Sequence, residues 1–238
     1  MRAIYLVSIL LIFPSATVQA FPPFRTTDAH TADPWELETR LGLLGFKRSG
    51  SANTYSSPLL RINFGIPQRI ELKGEFAYLI NENKVDEAAV GFKWVPYLRT
   101  IGVGIETLVL LPVSQAGGVG VESLLAVTLY NDSFRYHLNG GGFYDSRPNP
   151  NEKGWRGSAL VEYRFGRIRA GLDFFSKQIQ GDPVQVSVGP GIILDVGPFA
   201  FRTGFHAGLT NAAPDWAATF WITKSFYLDK KEESTELR

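Results

Sequence analysis

The chain has 238 residues, 45% of them hydrophobic and 13% aromatic, with 24 glycines, three histidines and no cysteine. The lack of cysteine excludes disulfides, thiolate catalysis and cysteine metal sites. The formal net charge is +1, and removal of Arg2, the one charged residue in 1–20, leaves 23 basic against 23 acidic side chains, so nothing draws the chain toward nucleic acid.

Met1-Arg2, the apolar run Ile4 to Phe13 and the small residues of Val18-Gln19-Ala20 read as a secretory signal over residues 1–20. Residues 21–34, FPPFRTTDAHTADP, have no hydrophobic period and hold three prolines, which predicts an extended arm or plug. Phe21, Pro22, Pro23 and Phe24 would be its apolar tip.

From Trp35 onward the pattern changes to alternation. Trp35, Leu37, Thr39, Leu41 and Leu43 share one face, with Glu36, Glu38 and Arg40 on the other. Leu60, Ile62, Phe64 and Ile66 alternate with Arg61 and Asn63. After a turn at Pro67-Gln68, Ile70, Leu72, Phe76, Tyr78 and Ile80 alternate with Arg69, Glu71, Lys73 and Glu75. Ala88 to Trp94 follow, then a break at Pro96 to Arg99, then Ile101 to Leu111 across from Glu106. Val119 to Leu129 face away from Glu122, and Phe134, Tyr136 and Leu138 away from Arg135 and His137. The stretch LVEYRFGRIRAGLDFF repeats the pattern on both sides of Gly166-Arg167, setting Val161, Tyr163, Phe165, Ile168, Leu172 and Phe174 against Glu162, Arg164, Arg169 and Asp173. Val184 to Leu194, Phe199 to Leu209 with Arg202 and His206 on the polar side, and Trp216 to Phe226 close the series.

A period of two over segments of this length is the strand signature, and about ten residues suffice for a tilted strand to cross a bilayer. Short connections at Pro67, Pro96 to Arg99, Asn131 to Ser133, Gly166-Arg167 and Gly197-Pro198 alternate with longer polar ones. The expectation is an all-β chain: a transmembrane up-and-down antiparallel β-barrel of about twelve strands over residues 35–228 in the bacterial outer membrane. A charged periplasmic tail would follow at 229–238. The apolar faces would meet outer-membrane lipid, and Trp35, Trp94, Tyr97, Trp155, Trp216 and Tyr227 would stand near the interfaces. Insertion of such a barrel would call on barrel-assembly machinery. A secreted β-sandwich or lipocalin-like barrel shares the alternation, but strand length and the rhythm of short and long connections favour the membrane.

The segments Thr27 to Glu38 and SPLLRINFGIPQRIELKGEF carry a further signal: Leu60, Arg61, Phe64, Gly65, Arg69, Glu71 and Leu72 stand in a leucine-arginine-aromatic-glycine hairpin. In these positions the chain resembles the putative meta-pathway of phenol degradation family of outer-membrane proteins. It departs from that pattern at VDEAAVGFKWVPY, and in the charged tail that follows its last strand. The resemblance implies an outer-membrane barrel that takes up small, hydrophobic or aromatic molecules.

A barrel of this size is intermediate in width, so its lumen charges matter. Glu36, Glu38, Arg40, Arg61, Arg69, Glu71, Lys73, Glu75, Glu106, Glu122, Arg135, His137, Glu162, Arg164, Arg169, Asp173, Arg202 and His206 are the candidate lumen or constriction residues. The mixed signs fit two readings, an ion-pair network that holds a narrow barrel shut and a constriction with acid and base on opposite walls. Catalysis is not expected. No serine sits in G-x-S-x-G, and a hydrolase would need Ser158 or Ser187 to reach His137 or His206. The spacing of His30, His137 and His206 gives no metal site, no cofactor is expected, and a passive channel for an unnamed small-molecule solute is the functional expectation. A lipid hydrolase and a non-conducting structural barrel are the alternatives.

Overall fold

The computed structural model describes residues 23–112, 117–131, 133–148 and 150–228. The expected signal, Phe21 and Pro22 of the arm, and the charged tail lie outside the described residues.

Twelve strands follow one another along the chain: β1 Glu36–Lys47, β2 Asn53–Ile66, β3 Ile70–Leu79, β4 Lys84–Leu98, β5 Ile101–Leu110, β6 Gly120–Asn131, β7 Phe134–Asp145, β8 Glu152–Phe165, β9 Ile168–Ile179, β10 Gln185–Val196, β11 Phe199–Gly208 and β12 Trp216–Tyr227. Each pairs antiparallel with the next. β1 pairs with β12 in continuous register from Glu36↔Tyr227 to Lys47↔Trp216, so the sheet is a closed barrel with no free edge. In hydrocarbon an unpaired backbone N–H or C=O costs several kcal/mol, and closure removes them all at once.

The inside and outside of the barrel are inverted relative to a soluble protein. Leu41, Leu43, Leu72, Val90, Leu125, Leu138, Val161 and Leu172 are exposed, whereas Arg40, Arg61, Glu71, Glu106, Glu162 and Asp173 are buried. The apolar exterior therefore requires lipid, and the charged side chains fill the lumen. The connections after β2, β4, β6, β8 and β10 are short, and the strand ends that they join share one rim with the barrel ends Glu36 and Tyr227. That rim is periplasmic by the usual rule of short turns and chain ends. Gly166 and Gly197 open two of these turns at φ 57°, a conformation glycine adopts without a Cβ clash. The strand ends joined by the longer connections after β1, β3, β5, β7, β9 and β11 form the other rim.

Exposed Trp35, Trp94, Tyr97 and Tyr227 ring the periplasmic end, exposed Trp155 stands at the opposite end, and Trp216 is half-buried there. Two boundaries differ from expectation. β4 does not break at Pro96 but runs to Leu98, with its pairing to β5 interrupted between Trp94 and Tyr97. Proline has no N–H for the ladder, and a bulge takes it up within the strand. Trp35 does not begin the first strand. It sits at φ 65° as the corner where the chain leaves the lumen for the wall, and its N–H donates to the Gly65 carbonyl at 2.8 Å.

A plugged and charged lumen as the candidate functional site

From Trp35 the arm, residues 23–34, turns into the barrel and crosses it. Inward side chains take the place of a sheet partner for its backbone. Ala32 N donates to Glu71 Oε2 at 2.7 Å, Ala29 N to Thr128 Oγ1 at 2.8 Å, Thr27 N to Asn139 Oδ1 at 2.6 Å and Arg25 N to Asp173 Oδ2 at 2.6 Å. In return Asn139 Nδ2 donates to the Thr27 carbonyl, Tyr130 Oη to the Ala29 carbonyl and Lys93 Nζ to the His30 carbonyl. A chain inside a lumen must satisfy its peptide groups somewhere, and these partners on β3, β4, β6, β7 and β9 do so.

The first described residues of the arm make an apolar contact with the wall. Phe24 is 0% exposed and packs with Leu160 and Ile193. Three glycines on adjacent strands make the slot. A Cβ on Gly191 would fall 2.5 Å from Phe24 Cε1, one on Gly171 2.9 Å from Phe24 Cζ, and one on Gly204 2.8 Å from the Pro23 carbonyl oxygen. At the other end of the arm a Cβ on Gly65 would lie 2.0 Å from the Asp33 oxygen. These inward glycines leave room for the crossing chain.

Around the arm the charges pair in two zones. Toward the outer rim Arg61 meets Glu75 at 3.2 Å, Lys73 meets Glu106 at 2.9 Å and Arg156 meets Glu122 at 2.6 Å. Toward the periplasm Glu38 takes both Arg40 and Arg202, the latter at 3.2 Å, and accepts from Asn63 Nδ2 at 3.0 Å. Arg135–Glu162 and Arg169–Asp195 are looser, at 3.7 Å each. A cavity of about 310 Å³ opens here, lined by charges of both signs, among them Arg40, Arg135, Arg169 and Arg202 with Asp28, Asp33 and Glu71. On the arm itself, burial pushes Asp28 upward, but Lys93 at 3.3 Å with His30 and His137 outweighs it and holds the carboxyl below the usual range.

Of the expected lumen residues, Arg40, Arg61, Glu71, Lys73, Glu75, Glu106, Glu122, His137, Glu162, Asp173, Arg202 and His206 are buried inside the barrel, and Glu38 is half-buried beside Arg40. Arg135 and Arg169 line the cavity, and Glu36 stands at its mouth, where it accepts from Asp33 N at 2.8 Å. Arg69 lies in the exposed turn between β2 and β3 at φ 58°, and Arg164 is exposed at the periplasmic end of β8; the structure puts both at the rim. His137 Nδ1 bonds Thr128 Oγ1 at 2.9 Å, and His206 Nε2 bonds Asp173 Oδ2 at 3.0 Å. Ser158 Oγ donates to Asn139 Oδ1 at 3.2 Å. The histidines thus buttress the arm's own anchors, Thr128 and Asp173. Thr128 and Asn139, with the arm residues Thr26 and Thr27, are the site residues that alternation alone does not single out.

No family model and no curated protein sequence matches this chain. Solved structures do. The COG4313 outer membrane channel from Pseudomonas putida F1 superposes with a TM-score of 0.62 at 9% identity, over 84% of this chain and 98% of that one. A porin refined at 1.8 Å resolution aligns at TM-score 0.44 and 8% identity, over 80% of this chain and 99% of its own. What is shared is the fold. The chain is a closed, twelve-stranded outer-membrane β-barrel, while the meta-pathway resemblance gains no support beyond that. An all-strand span with a lipid-facing apolar belt places it in the bacterial outer membrane.

Proposed function

We propose that this barrel is a passive outer-membrane channel for small molecules, hydrophobic and aromatic ones among them, with residues 21–34 as a lumen plug that sets its bore. The observation that carries the reading is the arm. A barrel that served only as a structural wall has no need of a slot of three glycines and a row of side chains cut to hold one peptide in its middle. Glycine in a strand weakens it by its entropy and lack of side-chain contact, so the slot on β9, β10 and β11 is a feature kept at a cost.

With the arm in place, a solute entering from outside meets the Arg61, Glu75, Lys73, Glu106 and Arg156 layer, then the arm, then the periplasmic cavity. Opposed acid and base in a passage of this kind orient a dipolar solute and slow a bare ion. Outer-membrane lipid surrounds the barrel, and barrel-assembly machinery inserts it.

The test is single-channel recording of refolded residues 21–238 in a planar bilayer, alongside the same protein lacking residues 21–34. Small steady currents in the first and larger ones in the second support a plugged channel. Silence in both, with insertion demonstrated, refutes conduction and leaves a structural barrel.

A further inference from the structure

The outer half of the lumen holds two cations that its ion pairs do not use. Arg25 rises from the arm with its guanidinium 4.9 Å from the centre of the Phe175 ring, and Lys177 Nζ sits 4.4 Å from the centre of Phe143. Phe175 and Lys177 are successive inward positions of β9, so the two seats are neighbours on one wall. Neither cation has a carboxylate within ion-pair distance among the described residues. Two of the acids nearby are already engaged, and Glu152 and Glu87 act on Lys177 only from beyond ion-pair distance. Asp173 accepts from Arg25 N, Thr26 Oγ1 and His206, and Glu122 is held by Arg156 at 2.6 Å.

Beside them is an unused donor. Ser187 on β10 pairs in register with Phe175, faces inward, is 3% exposed, and its hydroxyl has no hydrogen-bond partner among the described residues. Arg25 Nε is likewise buried without one. A cation–π contact offsets part of the desolvation of a buried cation but supplies no counter-charge, and a buried polar group left unpaired is costly. Two ring-seated cations, with a free hydroxyl on the strand beside them, are complementary to an anion.

We infer that the outer half of the lumen carries a receptor for one small organic carboxylate, its oxygens held by Arg25, Lys177 and the Ser187 hydroxyl and its apolar part lying along Phe143 and Phe175. The guanidinium offers the two-point geometry that suits a carboxylate, and the ring edges favour an organic anion over inorganic phosphate. The site lies toward the outer end of β9, and its occupation is read without any current through the pore.

The test is calorimetric titration of the refolded mature chain in detergent with sodium benzoate, with benzamide as the neutral isostere and inorganic phosphate as the apolar-free anion. Benzoate is expected to bind at least about tenfold more tightly than either, over benzamide through its charge-assisted hydrogen bonds and over phosphate through the apolar contact of its ring with Phe143 and Phe175. Arg25→Gln and Lys177→Gln should each weaken benzoate by about tenfold, Arg25→Lys by much less, and Arg164→Gln at the rim not at all. Lys177 belongs to the wall, so its loss leaves the arm's anchors untouched and separates a missing charge from a displaced plug. No binding by the native chain, unchanged binding in Lys177→Gln, or equal binding of benzamide would overturn the assignment. Phosphate binding tighter than benzoate would overturn its organic half.

Discussion

Phe24→Ala is the sharpest perturbation of the plug. The ring is 0% exposed, meets Leu160 and Ile193, and fills a slot whose three glycines cannot move inward to replace it. Truncating a fully buried phenylalanine costs about 3–5 kcal/mol, because the cavity is only partly relieved by collapse. Here the loss falls on docking of the arm and not on the barrel, whose backbone ladder closes without it. At about 1.4 kcal/mol per factor of ten, the docking equilibrium shifts by roughly two to three and a half orders of magnitude. The chain contains no cysteine, so a single Ala29→Cys probe, at a position 0% exposed, reports on the arm alone. With Phe24 intact the thiol should resist a membrane-impermeant maleimide; with Phe24→Ala it should react at a measurable rate, while the unboiled barrel keeps its mobility on a gel. Equal protection in both proteins would show that the polar anchors hold the arm without its tip, and the reasoning from the glycine slot would fail.

Gly191→Ala approaches the same contact from the wall: its methyl would come 2.5 Å from Phe24 Cε1 and 2.9 Å from Pro23 Cγ, so the tip should be displaced and single-channel current should rise. Unchanged current would mean that the tip shifts without unplugging the lumen. For acid dependence, Asp28 has a carboxyl held below its ordinary 3.8, so its contribution to docking is complete above that value and is lost as pH falls through the lower one. The arm should therefore stay docked at pH 4 and loosen only in stronger acid, and conductance followed downward from pH 5 should show this step in the native chain and lack it in Asp28→Asn. On the lipid face, Leu125→Arg, at a position 50% exposed and mid-strand, should cost about 2–4 kcal/mol of folding stability in a bilayer. Urea titration in phospholipid vesicles measures it, and a cost near zero would place β6 elsewhere than in hydrocarbon.

The barrel was legible because its physics is local. Each strand must present one face to lipid and one to the lumen, so Leu41 and Arg40, or Val161 and Glu162, declare their sides by adjacency alone. The boundary at Pro96 was misplaced for a related reason, since a proline usually punctuates a strand and only the pairing of β4 with β5 shows that a bulge absorbs it. The site was less legible. That Glu38 serves both Arg40 and Arg202 depends on β11, β12 and β1 lying side by side, a consequence of closing the ring between the first strand and the last. The glycine slot is still less local, because Gly171, Gly191 and Gly204 look unremarkable on their own strands and become a slot only in register. The arm's Thr26, Thr27 and Ala29 have no period to betray them, and their partners Thr128 and Asn139 are ordinary polar residues until a peptide runs between them.

The run of anchors from Glu71 on β3 to Asp173 on β9, with the Phe24 tip beyond it against β10 and β11, has a mechanical consequence. A thin cylindrical wall in a bilayer ovalises easily under lateral pressure, since bending it breaks no hydrogen bond. A peptide fastened at both ends of a chord acts as a strut, fixing how far apart those walls stand. It is also a gauge: a ring with one strand more or fewer would carry Glu71 and Asp173 out of reach of the same short span. Docking of the arm therefore certifies that the ring has closed with the right circumference.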